Sequence, residues 1–192
     1  MGGIDYLIRG ELKLLEAKMH MSVGRPTEAE NSLSDAESSF RGINDVEGLC
    51  NVLINKGQIK LCRGQILPAI NDIEEAASIS RNMVAQSKYG KVLYYRGLAY
   101  LAMGREFDAH RDFVEYISTA ECIDDHHAQA IGHFYHALAF ERYREPCMAM
   151  AELEVAKDLI RDRYPSLKGR FNAFIAHLWL RKGHLDKSEA LI

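Results

Sequence analysis

No apolar run in the 192 residues approaches the roughly 18 needed to cross a bilayer, so no membrane span is expected. The start, MGGIDYLIRG, carries neither a charged leader with an apolar core nor a cleavage site. Tyr6 stands where myristoylation after Gly2 would need Ser or Thr. The four cysteines (Cys50, Cys62, Cys122 and Cys147) show no C-x-x-C pairing and read as buried or half-buried thiols in a reducing compartment. Cytoplasm or nucleus is therefore the expected location. A net charge of −3 leaves no electrostatic footprint for a nucleic-acid backbone, and no nucleic-acid partner is expected. Nothing matches G-x-x-x-x-G-K-[ST], G-x-S-x-G or H-E-x-x-H, so neither catalysis nor a cofactor is expected. Strand-like alternation and low-complexity tracts are missing as well.

What the chain does have is a repeat. In YYRGLAYLAMGREFDAHRDF, from Tyr94 to Phe113, a helix, a tight turn at Gly104 and a second helix follow one another. Small residues fall where two helix backbones must approach, Gly97 in the first and Ala109 in the second. The first-helix position recurs at Ala17, Gly57, Gly97, Ala137 and Ala176, spaced by 40, 40, 40 and 39 residues. The turn recurs at Gly24, Gly64, Gly104, Arg144 and Gly183, and the second small position at Ala29, Ala69, Ala109, Ala149 and Ser188. Such periodicity predicts a solenoid of helix hairpins. Apolar content of 47% is enough for a folded core.

Pro26, Pro68 and Pro146 mark starts of second helices, where a missing N–H costs nothing. Pro165 falls in a connection and is expected to stop a helix. Asp45, and Asp124 or Asp125, are candidate caps. The connection around Asn82–Ser87 has no clear breaker before Gly90. Leu12, Leu15, Met19 and Val23 give the first helix an apolar face. Leu185, Leu191 and Ile192 would be partly exposed on a short last helix without a polar cap. That predicts either a piece of a longer protein or an end covered by another chain, including self-association.

YYRGLAYLAMGREFDA, with Gly97, Tyr100, Gly104 and Ala109, resembles the tetratricopeptide repeat; AKMHMSVGRPTEA, KGQIKLCRGQILPA and ALAFERYREPCMA follow the same pattern more loosely. Arg144 replaces a turn glycine, Ser188 a second-helix alanine, and Lys60 takes the aromatic place. The usual period is about 34 residues. At 40 each hairpin is longer, and repeats of this length look like those of kinesin light chains, spindle-orientation adaptors and the sensor arms of large ATP-dependent regulators. The resemblance implies an all-α, right-handed superhelical array of about five hairpins. Their approximate bounds are residues 4–43, 44–83, 84–123, 124–163 and 164–192, within a single domain spanning 1–192.

It also implies that first helices line a concave groove. Counting from each small residue, the inward positions are Glu11, Leu14, Lys18 and Met21; Asn51, Ile54, Asn55, Gln58 and Leu61; and Lys91, Tyr94, Tyr95, Leu98 and Leu101. They continue as Ile131, Phe134, Tyr135, Leu138 and Glu141, then Arg170, Phe174, His177 and Leu180, with Arg142 and Arg181 just beyond. The cations outnumber the acids. Asn51, Asn55 and Gln58 offer paired donors and acceptors to a peptide backbone. Tyr94, Tyr95, Phe134 and Tyr135 offer flat apolar area, although Tyr95 and Tyr135 also suit packing between repeats.

The reading is a scaffold or adaptor that binds an extended or helical acidic segment of a partner protein. The alternative is a regulatory arm of a larger signalling protein, answering to a peptide or small ligand. A chaperone-type carboxylate clamp is not expected: Asn55 and Lys91 match it, but Leu14, Lys18 and Tyr95 do not. His126, His127, His133 and His136 cluster near Cys122, Asp124 and Asp125, with His133 and His136 at core positions. Hydrogen-bonded, partly buried histidines are expected there rather than a metal site. Glu74, Glu75, Glu152 and Glu154 are expected on a solvated outer face.

Overall fold

The computed structural model describes residues 2–81, 86–161, 163–183 and 187. Among them are nine helices and no strand: α1 (Gly2–Ser22), α2 (Pro26–Gly42), α3 (Val46–Cys62), α4 (Ile66–Ser80), α5 (Gln86–Ala102), α6 (Glu106–Cys122), α7 (His126–Arg142), α8 (Pro146–Ile160) and α9 (Pro165–Arg181). Two compact units, Met1–Ala99 and Tyr100–Ile192, divide the chain inside α5. Ser188, Leu185, Leu191 and Ile192, together with the 82–85 part of the second inter-repeat connection, lie outside the described residues.

In unit 1 the hairpins α1/α2 and α3/α4 stack, with α2 against α3 and α1 beside α3. Gly24 and Gly64 turn them at φ +73° and +72°, backbone that other residues adopt only with strain. Between hairpins Asn44, at φ 55°, makes the reversal, and the Asp45 carboxylate accepts from the N–H groups of Glu47 and Gly48 at 3.0 and 3.1 Å. That cap satisfies two donors the helix cannot use.

The core is built from small-against-large contacts. Phe40 is fully buried between α1 and α3; a Cβ on Gly10 would lie 2.7 Å from its ring, and one on Gly48 would lie 2.4 Å away. Burying that ring stabilises the unit by about 2–3 kcal/mol. Gly57 meets Ile73 in the same way, its hypothetical Cβ 2.5 Å from the Ile73 side chain. Ala17, Ala29 and Ala69 are wholly buried, as the repeat predicts.

Leu12, Leu15, Met19 and Val23 depart from expectation. They are 57–67% exposed, and the packed face of α1 is instead the one carrying Gly10, Leu14 and Ala17. The apolar stripe and the packed stripe lie on opposite sides of one helix, and periodicity alone favours the more conspicuous of the two.

In unit 2, α6 packs on α7, α7 on α8 and α8 on α9. The turns are Gly104 (φ +69°), Arg144 (φ 60°) and Gly183 (φ +79°), with Asp124 (φ 55°) between hairpins. Asp125, not Asp124, caps α7, accepting from Ala128 N–H at 2.9 Å. Pro165 does not end a helix; it is the first residue of α9, where its fixed φ helps nucleation. One core joins Ala130, Ala156, Ile160, Leu167 and Phe171; a second joins Ala137, Ala149, Leu153, Ile175 and Leu178.

Candidate functional site

In unit 1 the expected groove residues sit on α3 and α5. Asn51, Asn55 and Gln58 are half-buried along α3. The Asn55 amide already donates to the Asn51 carbonyl at 2.6 Å, so one of its two N–H donors is engaged within α3. On α5, Lys91 is exposed, while Tyr94 and Tyr95 are half-buried and meet edge to face at 5.0 Å. Tyr95 packs against the unit's core, so its ring has a structural duty as well. Leu14 and Ile54 were expected on this face but are 2% and 5% exposed, part of the core rather than a surface. Glu11 and Lys18 are exposed on α1, and Met21 and Leu61 pack against the core.

In unit 2 the face is aromatic. Phe134 stacks on Phe171 (5.0 Å, 17° between planes) and meets Tyr135 and Phe174 edge-on at 5.2 and 5.6 Å. The Arg170 guanidinium lies 5.3 Å above the Phe134 ring and donates to the Tyr135 hydroxyl at 3.2 Å. His177 stacks on Phe174 at 6.2 Å, and Leu138 is half-buried beside them on α7. Tyr135 also stacks on Phe113 at 5.8 Å, so it too packs between helices.

The basic lean of this face is smaller than the residue count implies. Arg181 pairs with Glu141, and Arg142 donates to the Leu101 carbonyl at 2.6 Å. Leu101 is itself 4% exposed, not a groove residue. A pocket of about 320 Å³ nearby is lined by Glu141, Arg144, Pro146, Leu178, Arg181 and Lys182.

The histidines divide. His126 is exposed, 3.7 Å from Asp124, and His127 meets Tyr164 edge-on at 4.9 Å. His133 and His136 turn the other way, onto α8. His133 Nδ1 lies 2.6 Å from Glu152 Oε2, and His136 Nδ1 lies 3.1 Å from the same oxygen at an angle poor for a hydrogen bond. His136 Nε2 is hydrogen-bonded to His110 Nδ1 at 2.6 Å, so one proton sits between two imidazoles.

Burial pushes the Glu152 carboxyl up, but the hydrogen bond from His133 and the contact with His136 outweigh it and hold the group at about 2. Burial, then the neighbouring His136, lower His110 from its ordinary value. Among the described residues no group of three His, Cys, Asp or Glu has the geometry to hold a metal ion. Glu152 was expected on the solvated outer face with Glu74, Glu75 and Glu154. Those three are exposed, whereas Glu152 is half-buried. Its place three residues after Ala149 puts it on the packed face, and that spacing was the available signal. His110 lay outside the sequence-level cluster because it comes from α6.

No family model matches the chain, and no curated protein matches it. Solved structures do. TPR-like repeats of a putative kinesin light chain from Podosopora anserina align with 15% identity and a TM-score of 0.77, covering 100% of this chain and 92% of that one. The apo form of RapI aligns with 11% identity and a TM-score of 0.78, covering 96% of this chain and 52% of that one. A signal-transduction ATPase with numerous domains and a tetratricopeptide repeat sensor, from Pyrococcus horikoshii, aligns with 18% identity and a TM-score of 0.77. There all 100% of this chain matches 29% of the larger one. At such identities the likeness speaks for the fold. The chain has the tetratricopeptide-repeat fold.

Within that fold two further recurrences are visible. A second small position lies one heptad before the first: Gly10, Cys50, Gly90 and Ala130 are all buried. On the second helices Ser32, Asp72, Asp112 and Glu152 recur every 40 residues as polar groups, each buried or half-buried. Asp72 receives Lys60 at 2.6 Å. The lysine that departs from the repeat's aromatic pattern is thus matched by an acid on the facing helix.

Proposed function

We propose that residues 1–192 are a non-catalytic protein-interaction module that holds an extended or helical acidic segment of a partner protein against its first-helix faces. The observation that carries this reading is the cluster of Phe134, Tyr135, Phe174 and exposed Arg170 on α7 and α9. A cation held over an aromatic platform offers both apolar area and a charge for a carboxylate. Asn51, Asn55, Gln58, Lys91 and Tyr94 supply the same chemistry in unit 1, and Leu138, Arg142, His177 and Arg181 border the aromatic cluster in unit 2. Because Arg181 and Arg142 are engaged, Arg170 and Lys91 carry the selectivity for acidic guests.

Free thiols at all four cysteines suit work in the cytoplasm or nucleus. No described helix is long and apolar enough to cross a membrane. The test is affinity capture from cell extract with wild type and with Lys91→Glu/Tyr94→Ala and Arg170→Glu variants. Partners retained by wild type and lost from both variants, at unchanged helicity, support the reading. An unchanged set of partners ends it.

The second reading, a regulatory arm of a larger signalling protein, draws on the likeness to the repeat sensor of the Pyrococcus ATPase. A full-length chain carrying an ATPase or DNA-binding region favours it.

A further inference from the structure

We propose that the outer face of α1 binds the same face of a second copy of this chain, the two helices running antiparallel. Ile4, Ile8, Leu12, Leu15, Met19 and Val23 are 68, 53, 61, 57, 61 and 67% exposed. At helical spacing they fall within an arc of about 100° and run for about 29 Å. The packed residues Gly10, Leu14 and Ala17 lie opposite, so the rest of unit 1 stands behind the helix and leaves the stripe open. Six large aliphatic side chains in one line exceed the scattered apolar residues of an ordinary surface.

A second copy fits because the face is complementary to itself. The stripe has the same spacing read from either end: 4, 4, 3, 4 and 4 residues. A two-fold axis between Leu12 and Leu15 therefore sets Ile4 opposite Val23 of the second copy, Ile8 opposite Met19, and Leu12 opposite Leu15. Charges edge the stripe on both sides, Arg9 and Glu16 along one edge and Glu11 and Lys18 along the other. The same axis brings Arg9 to Glu16 of the second copy and Glu11 to its Lys18, within reach of long side chains and with opposite sign at each meeting. Antiparallel helix dipoles add to the fit. At about 100 Å² removed per side chain, the two stripes together bury roughly 1,200 Å², the lower edge of specific interfaces.

Sedimentation equilibrium of the full chain from about 1 to 100 µM tests this. A concentration-dependent dimer is expected, abolished by Leu12→Asp and by Leu15→Asp with helicity unchanged, since both positions are exposed. Glu11→Lys alone weakens it about tenfold, and Glu11→Lys/Lys18→Glu restores it, because the swapped charges meet again only in the antiparallel arrangement. A wild type that stays monomeric to the top of that range overturns the proposal and gives the stripe to some other occupant. So does a dimer indifferent to Leu12→Asp, or a double variant as weak as the single one.

Discussion

Arg144 holds a left-handed turn, at φ 60°, that the other hairpins give to glycine. An L side chain there costs about 1–2 kcal/mol, and glycine's greater freedom when unfolded returns part of that. Arg144→Gly should therefore stabilise the protein by up to about 1 kcal/mol, read as a higher urea midpoint at constant slope. A lower midpoint would mean that the Arg144 side chain contributes more than its backbone loses. Gly57→Ala should do the reverse: its Cβ would lie 2.5 Å from Ile73 in a packed interface, for a loss of about 1–3 kcal/mol.

The Glu152 cluster makes stability depend on pH with a definite sign. Glu152 sits at about 2 against an ordinary 4.5, and His110 lies below its ordinary 6.5. In both cases the unfolded chain binds more protons than the folded one between the two values. Stability therefore rises with pH across those windows and falls on acidification. Denaturant titrations should show a first loss below pH 6.5, from His110, and a second between 4.5 and 2, from Glu152. The second amounts to about 2 kcal/mol once its partial exposure is discounted, and Glu152→Gln should flatten it. A wild type with the same acid limb as that variant would refute the assignment.

At the scale of helices, the ends were the most legible part of the sequence. Turn glycines and the prolines opening α2 and α8 act through their own backbone, and the aspartates before α3 and α7 through carboxylates that reach N–H groups two or three residues on, so their meaning is local. Asp45→Ala should cost about 1 kcal/mol, because two N–H donors of α3 lose their acceptor, measured as a drop in thermal midpoint.

Faces were less legible than ends. Counting along a helix placed Lys91, Arg170 and His177 on open surface, yet put Leu14, Ile54 and Leu101 there too, although neighbouring helices cover them. Tyr95 and Tyr135 split between packing and surface, as aromatic residues at a helix junction can. Pro165 misled because proline both ends one helix and opens the next, and the chain was already between helices when it reached that residue.

For the molecule as a whole, the fold decides which thiols react. Against the expectation of four buried or half-buried thiols, Cys62, Cys122 and Cys147 are exposed and only Cys50 is buried, its Sγ 3.8 Å from the Ala76 carbonyl. Burial also raises the Cys50 thiol above its ordinary value, so its thiolate is scarce in the native state. A thiol reagent should label three cysteines promptly and the fourth only as unit 1 opens, with a rate that follows unfolding. Prompt labelling of all four would contradict the packing of α3 on α4.

The amino-acid sequence by itself determined hairpin length, turn placement and the small residues at helix contacts. Each is a property of a residue and its near neighbours, repeated at a fixed interval. Only the tertiary structure decided the partners: Glu152 with His133 and His136, His110 with His136, Arg181 with Glu141, and Arg142 with the Leu101 carbonyl. Such pairs join residues 16 to 41 positions apart, across helices whose juxtaposition no local pattern encodes. The tertiary structure likewise chose which side of α1 to bury, since two stripes of that helix qualified and packing space existed for one.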